Sequence, residues 1–455
     1  VVTPAAERKA VAHLMDAHRL SERRACKTIG SCRMTMRYKT TRTNDGRLRQ
    51  CMNDLPVSVV FADRDFQAKL PPSTPSLEAG EALHRLSKAV PQFDNVAIKA
   101  GDPCSIFFTS GSSGLPKAVE FSFESAERAI AAPTTLGFNA QSRLQIVAPL
   151  FHTAGWVWCC YGLTGGMTII LLPQASPDRM TSAVADLGAS HVQWHPTMLD
   201  TVLEQQARNP RDLSALRMIA YGAAPIAPEM LERCYQTFNC EFSQVYGLTE
   251  TVGPVGHLAP AAHRIDWGSG GPPTVSINPG ISLRVVDKDG REVAPGEVGE
   301  IEVQLSYPAP SYLRQGRRIP IARSDGWIAT SDMGAMDTDG YVRVIGRWGD
   351  MIITGGENVY PSEVENVIAT FPEVAEVAVF GRRDQRWGQA ICAMVALRPE
   401  AEMSAAEVIE RCRKQIAGYK TPKTVFFVER LPRNPAGKVV RPALEPLAVE
   451  LEAAG

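Results

Sequence analysis

The stretch "FFTSGSSGLPKAVEFS", Phe107–Ser122, places a threonine, three serines and two glycines ahead of a proline and a lysine. Before its loop, "SIFF" (Ser105–Phe108) reads as a strand. After it, Val119, Phe121 and Phe123 alternate with Glu120 and Ser122, a period of two that predicts a second strand. The loop therefore joins strand to strand. A Walker loop, G-x-x-x-x-G-K-[ST], opens a helix, and the spacing of Gly111, Gly114 and Lys117 does not match it. The residue types still suit an anion. Gly111 and Gly114 let backbone N–H groups turn toward a phosphate, Thr109, Ser110, Ser112 and Ser113 offer hydroxyls, and Lys117 adds a charge on a long stem. Read alone, the same residues fit a flexible hairpin tip equally well.

Around this stretch the chain has the composition of an ordinary globular protein: 455 residues, 44% hydrophobic, 21% charged, net charge −1. That length allows two or three domains. Nothing in the total charge calls for a nucleic-acid or membrane partner. Ten cysteines occur without a C-x-x-C pair, and Cys159 and Cys160 are adjacent, so no zinc site or disulfide framework is expected. Reduced thiols and a cytoplasmic location are the economical expectation. No apolar run reaches the roughly 18 residues of a membrane span, and the first residues lack the basic-then-apolar layout of a signal peptide.

Charge is unevenly spread. Residues 1–50 carry 12 Lys/Arg against 4 Asp/Glu, and the remainder 36 against 45. Within the basic part, "SERRACKTIGSCRMTMRYKT" (Ser21–Thr40) reads as two helices about a turn at Gly30, the layout of a helix-turn-helix. It resembles the opening of insertion-sequence transposases, without the acidic catalytic core that would follow. A basic helix is weak evidence for DNA recognition, and a basic surface helix pair explains the residues more simply.

From Cys51 onward the pattern changes. Apolar runs "LQIVAPL", "MTIILLP", "LRMIAYG" and "EFSQVYG" alternate with helix-like stretches such as Asp178–Leu187 and Pro228–Thr237, which predicts an α/β sheet. A more β-like region follows around "ISLRVVDKDGREVAPGEVGEIEVQL", with turns at Asp289-Gly290 and Pro295-Gly296. The final hundred residues repeat a smaller plan: "VAEVAVFGRRD", "QAICAMVAL", a helix over Ala405–Ala417, then "KTVFFVERL". This predicts a small α+β domain.

The loop "TSGSSGLPKAV" is followed in order by "FHTAGW", "YGAAP", "YGLTET", "DGWIATSDMG", "GRWGDMIITGGENVYPSEVE" and "NPAGKVVR". Together these stretches resemble the signatures of the adenylate-forming superfamily, which includes acyl-CoA synthetases, aryl-CoA ligases, peptide-synthetase adenylation domains and luciferases. The resemblance implies an α/β fold with a large N-terminal domain of layered sheets and a small, mobile C-terminal α+β domain. The boundaries expected are 1–50 for the basic segment, 51–349 for the large domain and 350–455 for the small one. In the family a long segment precedes the phosphate loop. Here it is short, so the large domain is expected to be truncated at its N-terminus and residues 1–50 foreign to it.

The resemblance also assigns roles. Thr109, Ser110, Gly111, Ser112, Ser113, Gly114 and Lys117 would hold the ATP phosphates. Tyr246 would lie on the purine, beside Gly222, Ala223 and Ala224, whose small size lets adenine approach the backbone. Thr249 would donate to a phosphate, and Glu250 would bind the Mg²⁺ carried by the triphosphate. Asp332 and Arg347 would serve the ribose, Asp350 would be the hinge, and Gly355, Gly356, Glu357 and Asn358 would line the thiol channel. Lys438 would contact the carboxylate and the α-phosphate, a cation placed where negative charge accumulates. His152 and Trp156, with Trp158 and Gly162, would border the acyl pocket, though aromatic runs also fill cores. No charged residue falls in that stretch, so an apolar acyl or aryl acid is expected.

The implied activity is ATP-dependent activation of a carboxylic acid, fatty or aryl, to acyl-AMP with release of pyrophosphate, then thioester formation with coenzyme A. A carrier-protein phosphopantetheine is the alternative acceptor, and an inactive or DNA-binding transposase–ligase chimera the alternative of another class. Three local expectations follow. Ser331, where the family has glycine, should be tolerated at ordinary φ. Ser362 and Glu365 should form a capping box, and Gly355 and Gly356 should lie in the loop leading directly into that helix.

Overall fold

The structure is a computed structural model that describes residues 60–62, 75–78, 97–110, 116–130, 136–172, 175–223, 228–264, 273–433 and 438–454, with Leu55, Leu70 and Ile226 singly. Residues 1–92 and 93–455 form two units. In the first, Val60–Ala62 (β1) and Ser76–Glu78 (β2) pair in parallel. The helix-turn-helix expected in residues 1–50 lies outside the described residues.

The second unit runs, in order, through β3 (Pro103–Ser110), β4 (Pro116–Ser122), α1 (Phe123–Ile130), β5 (Arg143–Ile146), α2 (Thr153–Thr164), β6 (Thr168–Leu171), α3 (Pro177–Ala185), β7 (His191–Gln193), α4 (Pro196–Arg208), β8 (Met218–Gly222), α5 (Pro228–Thr237), β9 (Glu241–Leu248) and β10 (Gly253–Leu258). There follow β11 (Val275–Ile277), β12 (Ile281–Val286), β13 (Gly299–Leu305), β14 (Ser311–Arg314), β15 (Arg317–Pro320), β16 (Trp327–Met336) and β17 (Tyr341–Arg347). Last come β18 (Ile352–Thr354), β19 (Glu357–Val359), α6 (Pro361–Ala369), β20 (Val374–Asp384), β21 (Gly388–Leu397), α7 (Ala405–Gln415), β22 (Thr424–Val428) and α8 (Leu444–Ala454).

The strand-loop-strand expected at the opening stretch is present. β3 and β4 are antiparallel with Thr109 opposite Lys117, and β4 continues through β14 into a sheet of order β15-β14-β4-β3. Residues 111–115 lie outside the described residues. Val119 and Phe121 are fully buried, but Phe123 leaves the pattern at 37% exposure because it opens α1. Ser122 and Ser125 end the strand: the Ser125 amide donates to Ser122 Oγ at 3.2 Å and the Ser122 amide to Ser125 Oγ at 3.0 Å, the reciprocal bonds of a helix start.

The large sheet has the order β12-β13-β16-β17-β11-β10-β9-β8-β7-β5-β6. Strands β5 to β9 are parallel, as strand-helix-strand crossovers require. Trp194, Ile219, Tyr221 and Phe242 meet α3, α4 and α5 on one face, and Leu144 and Ala220 meet α2 on the other. Both faces of the parallel half are therefore covered. Trp158 and Gly162 belong to this packing. Trp158 is buried against Phe138, and a Cβ on Gly162 would stand 2.6 Å from Ile169 Cγ1, so the core reading holds for both.

A separate sheet, β19-β18-β21-β20 with β22 parallel to β21, carries α6 and α7 on one face and α8 on the other. The backbone crosses to it from β17 through a single 3₁₀ turn, Trp348–Asp350. Two local expectations fail here. Pro361 takes the first helical position of α6, which makes Tyr360 the N-cap and moves Ser362 inside the helix. Ser362 Oγ instead donates to the Ile345 carbonyl, and Glu365 is engaged elsewhere. Gly355 and Gly356, at φ 61° and 87°, form the tip of the β18–β19 hairpin rather than the entry to the helix.

Candidate active site

Parallel strands β5, β7, β8 and β9 lie side by side and all end at the same edge of the large sheet, where α/β sheets bind ligands. Past β5 comes His152, past β7 His195, at the end of β8 Gly222 and Ala223, and on and beyond β9 Tyr246, Thr249 and Glu250. Gly222 has no room for a side chain, since a Cβ would sit 2.2 Å from the Val245 carbonyl oxygen. Ala223 has φ 67°, a left-handed backbone that exposes the strand end. Ala224, like Gly111, Ser112, Ser113 and Gly114, lies outside the described residues.

Strands β16 and β17 bring the ribose candidates together. Asp332 and Arg347 are direct cross-strand partners, and Arg347 Nε donates to Asp332 Oδ1 at 3.0 Å. The Tyr246 hydroxyl donates to Oδ2 of the same carboxylate at 2.7 Å. Burial, then the Asp332 charge, pushes the Tyr246 phenol well above its ordinary value, so it stays a donor. Ser331 corrects an expectation: it is held at φ 60°, the left-handed region that favours glycine.

Thr249 and Glu250 sit on a tight turn, Thr249–Thr251, pinned by one hydroxyl. Thr251 Oγ1 accepts from the Leu248 amide at 3.1 Å and lies 3.0 and 2.8 Å from the Leu248 and Gly253 carbonyls. The turn closes through Val252 at φ 62°, a fully buried β-branched residue whose backbone strain is about 1–3 kcal/mol. Thr153, the first residue of α2, donates to Thr249 Oγ1 at 3.1 Å. Tyr312 on β14 donates to Glu250 Oε1 at 3.0 Å, and the Lys117 ammonium stands 5.2 Å from the Tyr312 ring centroid. Tyr312, which sequence reasoning did not single out, thus links Lys117 to Glu250.

Lys438 comes from the C-terminal part of the chain, beyond β22. Its side chain keeps solvent contact, yet protein crowds it, and burial followed by Arg347 lowers its pKa while Asp332 and Glu250 raise it. In turn Lys438 helps lower His152 and His195, both already depressed by burial, His195 to about 4. Lys438, Asp332, Arg347 and Glu250 therefore share one electrostatic environment. His152 caps α2, its Nδ1 accepting from the Ala154 amide at 3.2 Å. His195 bonds Thr197 Oγ1 at 2.8 Å and is a second neutral imidazole at this edge that sequence reasoning missed. Trp156 packs against Phe107 and Phe121 at 5.4 and 5.9 Å between centroids.

Thr109 lies opposite Lys117 at the end of β3, next to Ser110. Asp350 ends the crossover turn, and Glu357 and Asn358 stand exposed on β19. Among the described residues no three His, Cys, Asp or Glu side chains cluster to hold a metal unaided. Glu250 offers a single carboxylate, which suits Mg²⁺ bound mainly through substrate phosphates.

Residues 18–313 match the AMP-binding enzyme family and residues 363–438 the AMP-binding enzyme C-terminal domain; the first match begins inside the basic segment. A fatty acid–[acyl-carrier-protein] ligase, ScoC of Streptomyces coeruleorubidus, is 36% identical over 74% of this chain, which spans 66% of that relative's length. An indoleacetate–CoA ligase of Aromatoleum aromaticum is 33% identical over 91% of this chain and 83% of its own. Among solved structures, the o-succinylbenzoate CoA synthetase MenE of Bacillus subtilis, in complex with the acyl-adenylate intermediate OSB-AMP, superposes with a TM-score of 0.76 at 27% identity, covering 97% of this chain and 92% of that one. With a family match over most of its length and a second over its C-terminal part, the chain belongs to the AMP-binding enzymes.

Proposed function

We propose that this protein activates a carboxylic acid with MgATP and then transfers the acyl group to coenzyme A. The observation that carries the reading is the convergence of Asp332, Arg347 and Tyr246 with Glu250 and Lys438, drawn from both sheets, on one edge. MenE structures with OSB-AMP and with ATP and magnesium ion, and relatives named as CoA ligases, support it.

In the first step a carboxylate oxygen of the acid forms a bond to the α-phosphorus. The bond from that phosphorus to the bridging oxygen breaks, and pyrophosphate leaves. Asp332, fixed by Arg347 and Tyr246, has lone pairs free to accept the ribose hydroxyls. Thr109, Ser110, Gly111, Ser112, Ser113, Gly114 and Lys117 hold the phosphates. Gly222, Ala223 and Ala224 border the adenine. Lys438 places its cation at the α-phosphate, where charge grows in the transition state. Glu250 would hold Mg²⁺, which when bound neutralises phosphate charge. In the second step a thiol sulfur bonds to the acyl carbon, the C–O bond to AMP breaks, and the thiol proton goes to solvent.

For this second step Asp350 acts as hinge, and Gly355, Gly356, Glu357 and Asn358 line the thiol path. His152 and Trp156 border an apolar acyl or aryl group. The carrier-protein alternative draws on the ScoC relative. A pyrophosphate-exchange assay over a panel of carboxylic acids, followed by product analysis with free coenzyme A or with a phosphopantetheinylated carrier, tests the reading. Exchange that needs acid, ATP and Mg²⁺, disappears in Lys438→Ala and yields an acyl-CoA is expected. Acyl transfer to the carrier alone would replace the acceptor, and absence of exchange with every acid would end the proposal.

A further inference from the structure

We infer that Arg441 is a positioning residue: it fastens the crossover aspartate Asp350 to the body of the small sheet and so fixes where Lys438 stands. The inference deepens the function proposed above and rests on Lys438 acting in the first half-reaction.

Arg441 lies three residues beyond Lys438. Its guanidinium faces three separate acceptors: Nε is 3.2 Å from Asp350 Oδ2, Nη2 is 2.9 and 3.1 Å from the two oxygens of Glu365, and Nη1 donates to the Val379 carbonyl at 2.6 Å. Glu365 Oε1 also accepts from the Val379 amide at 2.8 Å. Two of these acceptors belong to α6 and β20, elements of the packed small core. The third ends the only turn through which the described backbone passes from β17 to β18.

The segment between Lys438 and Arg441 has little freedom. Val439 bridges to Arg433, and the Val440 amide donates to the Pro432 carbonyl at 2.8 Å. On the other side of Asp350 stands Arg347, whose pKa Asp350 helps raise and which itself holds Asp332. Charges thus alternate from Asp332 through Arg347, Asp350 and Arg441 to Glu365. A planar guanidinium can serve three acceptors in fixed directions; a lysine ammonium, a point charge on a flexible stem, cannot hold the same geometry.

The experiment uses the full chain and two separate half-reactions: pyrophosphate exchange, and thioester formation from synthetic acyl-adenylate with coenzyme A. Arg441→Gln and Arg441→Lys should each lower exchange about tenfold, as loss of a charged hydrogen bond does, and thioester formation by less than about twofold; Asp350→Asn, at the crossover itself, should lower exchange to a similar degree. The double variant should be no worse than Arg441→Gln alone, because that substitution already removes the contact with Asp350. An equal fall in both half-reactions in the Arg441 variants, or full recovery of exchange with Arg441→Lys, would overturn the role while leaving the proposed function intact. Loss of both half-reactions in the unsubstituted chain would instead sink the function. Hydrogen exchange of the peptide spanning residues 346–353 needs no activity: it should speed up in Arg441→Gln and in Asp350→Asn, and unchanged protection in both would also overturn the inference.

Discussion

The Tyr246 hydroxyl and Asp332 Oδ2 meet at 2.7 Å although 86 residues separate them. With Arg347 on Oδ1, each carboxylate oxygen already accepts one protein hydrogen bond and keeps a lone pair for a ribose hydroxyl. Asp332 is only 6% exposed, so the orientation of its carboxylate is set before substrate arrives. Asp332→Asn should raise the KM for ATP about 10- to 100-fold, the loss of bonds to a charged acceptor, with a smaller rise for Tyr246→Phe. Steady-state kinetics at varied ATP, with a nucleotide titration by calorimetry, checks this. An unchanged nucleotide affinity in Asp332→Asn would remove the ribose role.

Tyr312 gives a second expectation, because its two contacts can be separated. Tyr312→Phe keeps the ring near Lys117 and deletes only the donor to Glu250 Oε1. Glu250 should then be less well oriented for a metal, raising the Mg²⁺ concentration for half-maximal exchange about tenfold, the low end of the effect of a lost partner to a metal ligand. An unchanged Mg²⁺ requirement in Tyr312→Phe, with a shift only in Tyr312→Leu, would mean the hydroxyl is irrelevant and the ring alone matters.

What could be read from the sequence divides along contact range. The strand-loop-strand at Phe107–Ser122, the alternation that built the parallel half of the sheet, and the helices near Asp178, Pro228 and Ala405 were legible because each rests on local periodicity. Asp332, Arg347 and Tyr246 were legible as separate motifs, but their mutual bonds were not. Tyr312 with Glu250, Thr153 with Thr249 and Arg441 with Asp350 join distant segments, and no local pattern announces such pairs. Three local readings failed, one because Gly355 and Gly356 close the β18–β19 hairpin and two for the following local reasons. Pro361 claimed the first helical position and displaced Ser362 from the cap, and residue type alone did not reveal that position 331 needs positive φ.

Position 331 therefore yields a stability expectation. Its φ of 60° costs a side chain with a Cβ about 1 kcal/mol relative to glycine. The Ser331 amide donates to Glu300 Oε1 at 3.2 Å, a bond that glycine preserves. Ser331→Gly should raise stability in urea unfolding by about 1 kcal/mol, Ser331→Ala should change little, and Ser331→Val should destabilise. A stabilising valine would contradict the left-handed backbone.

Arg398, at the end of β21, reaches α4 of the large sheet, with Nη1 3.0 Å from Glu204 Oε1 and 3.6 Å from Asp200 Oδ2. The pair is far from the reacting atoms and half-open to solvent, so its effect should be modest and salt-sensitive. Glu204→Lys should slow pyrophosphate exchange about two- to fivefold at low ionic strength, with the difference fading in 0.5 M salt, and Glu204→Lys with Arg398→Glu should restore it. Failure of the swap to restore exchange would mean that the contact does not help hold the arrangement with Lys438 in the cleft.

Lys438 separates stability from activity most sharply. Its pKa lies below the ordinary lysine value of 10.5, first because burial disfavours the charged form and then because Arg347 repels it. Between the folded-state pKa and 10.5 the unfolded chain binds more protons than the folded one, so stability rises as pH climbs through that window. Below the window the cost of a cation crowded by protein, reduced by its contact with solvent, is fully present. Lys438→Gln removes that cost, so the variant should melt no lower than the parent at neutral pH, with any advantage shrinking as pH approaches 10.5. Exchange should nevertheless fall at least about a hundredfold, as when a transition-state donor is deleted, while thioester formation from acyl-adenylate is largely kept. Melting curves from pH 6 to 10 beside both half-reactions decide it. A variant that melts lower at neutral pH and loses both half-reactions together would make Lys438 a structural residue.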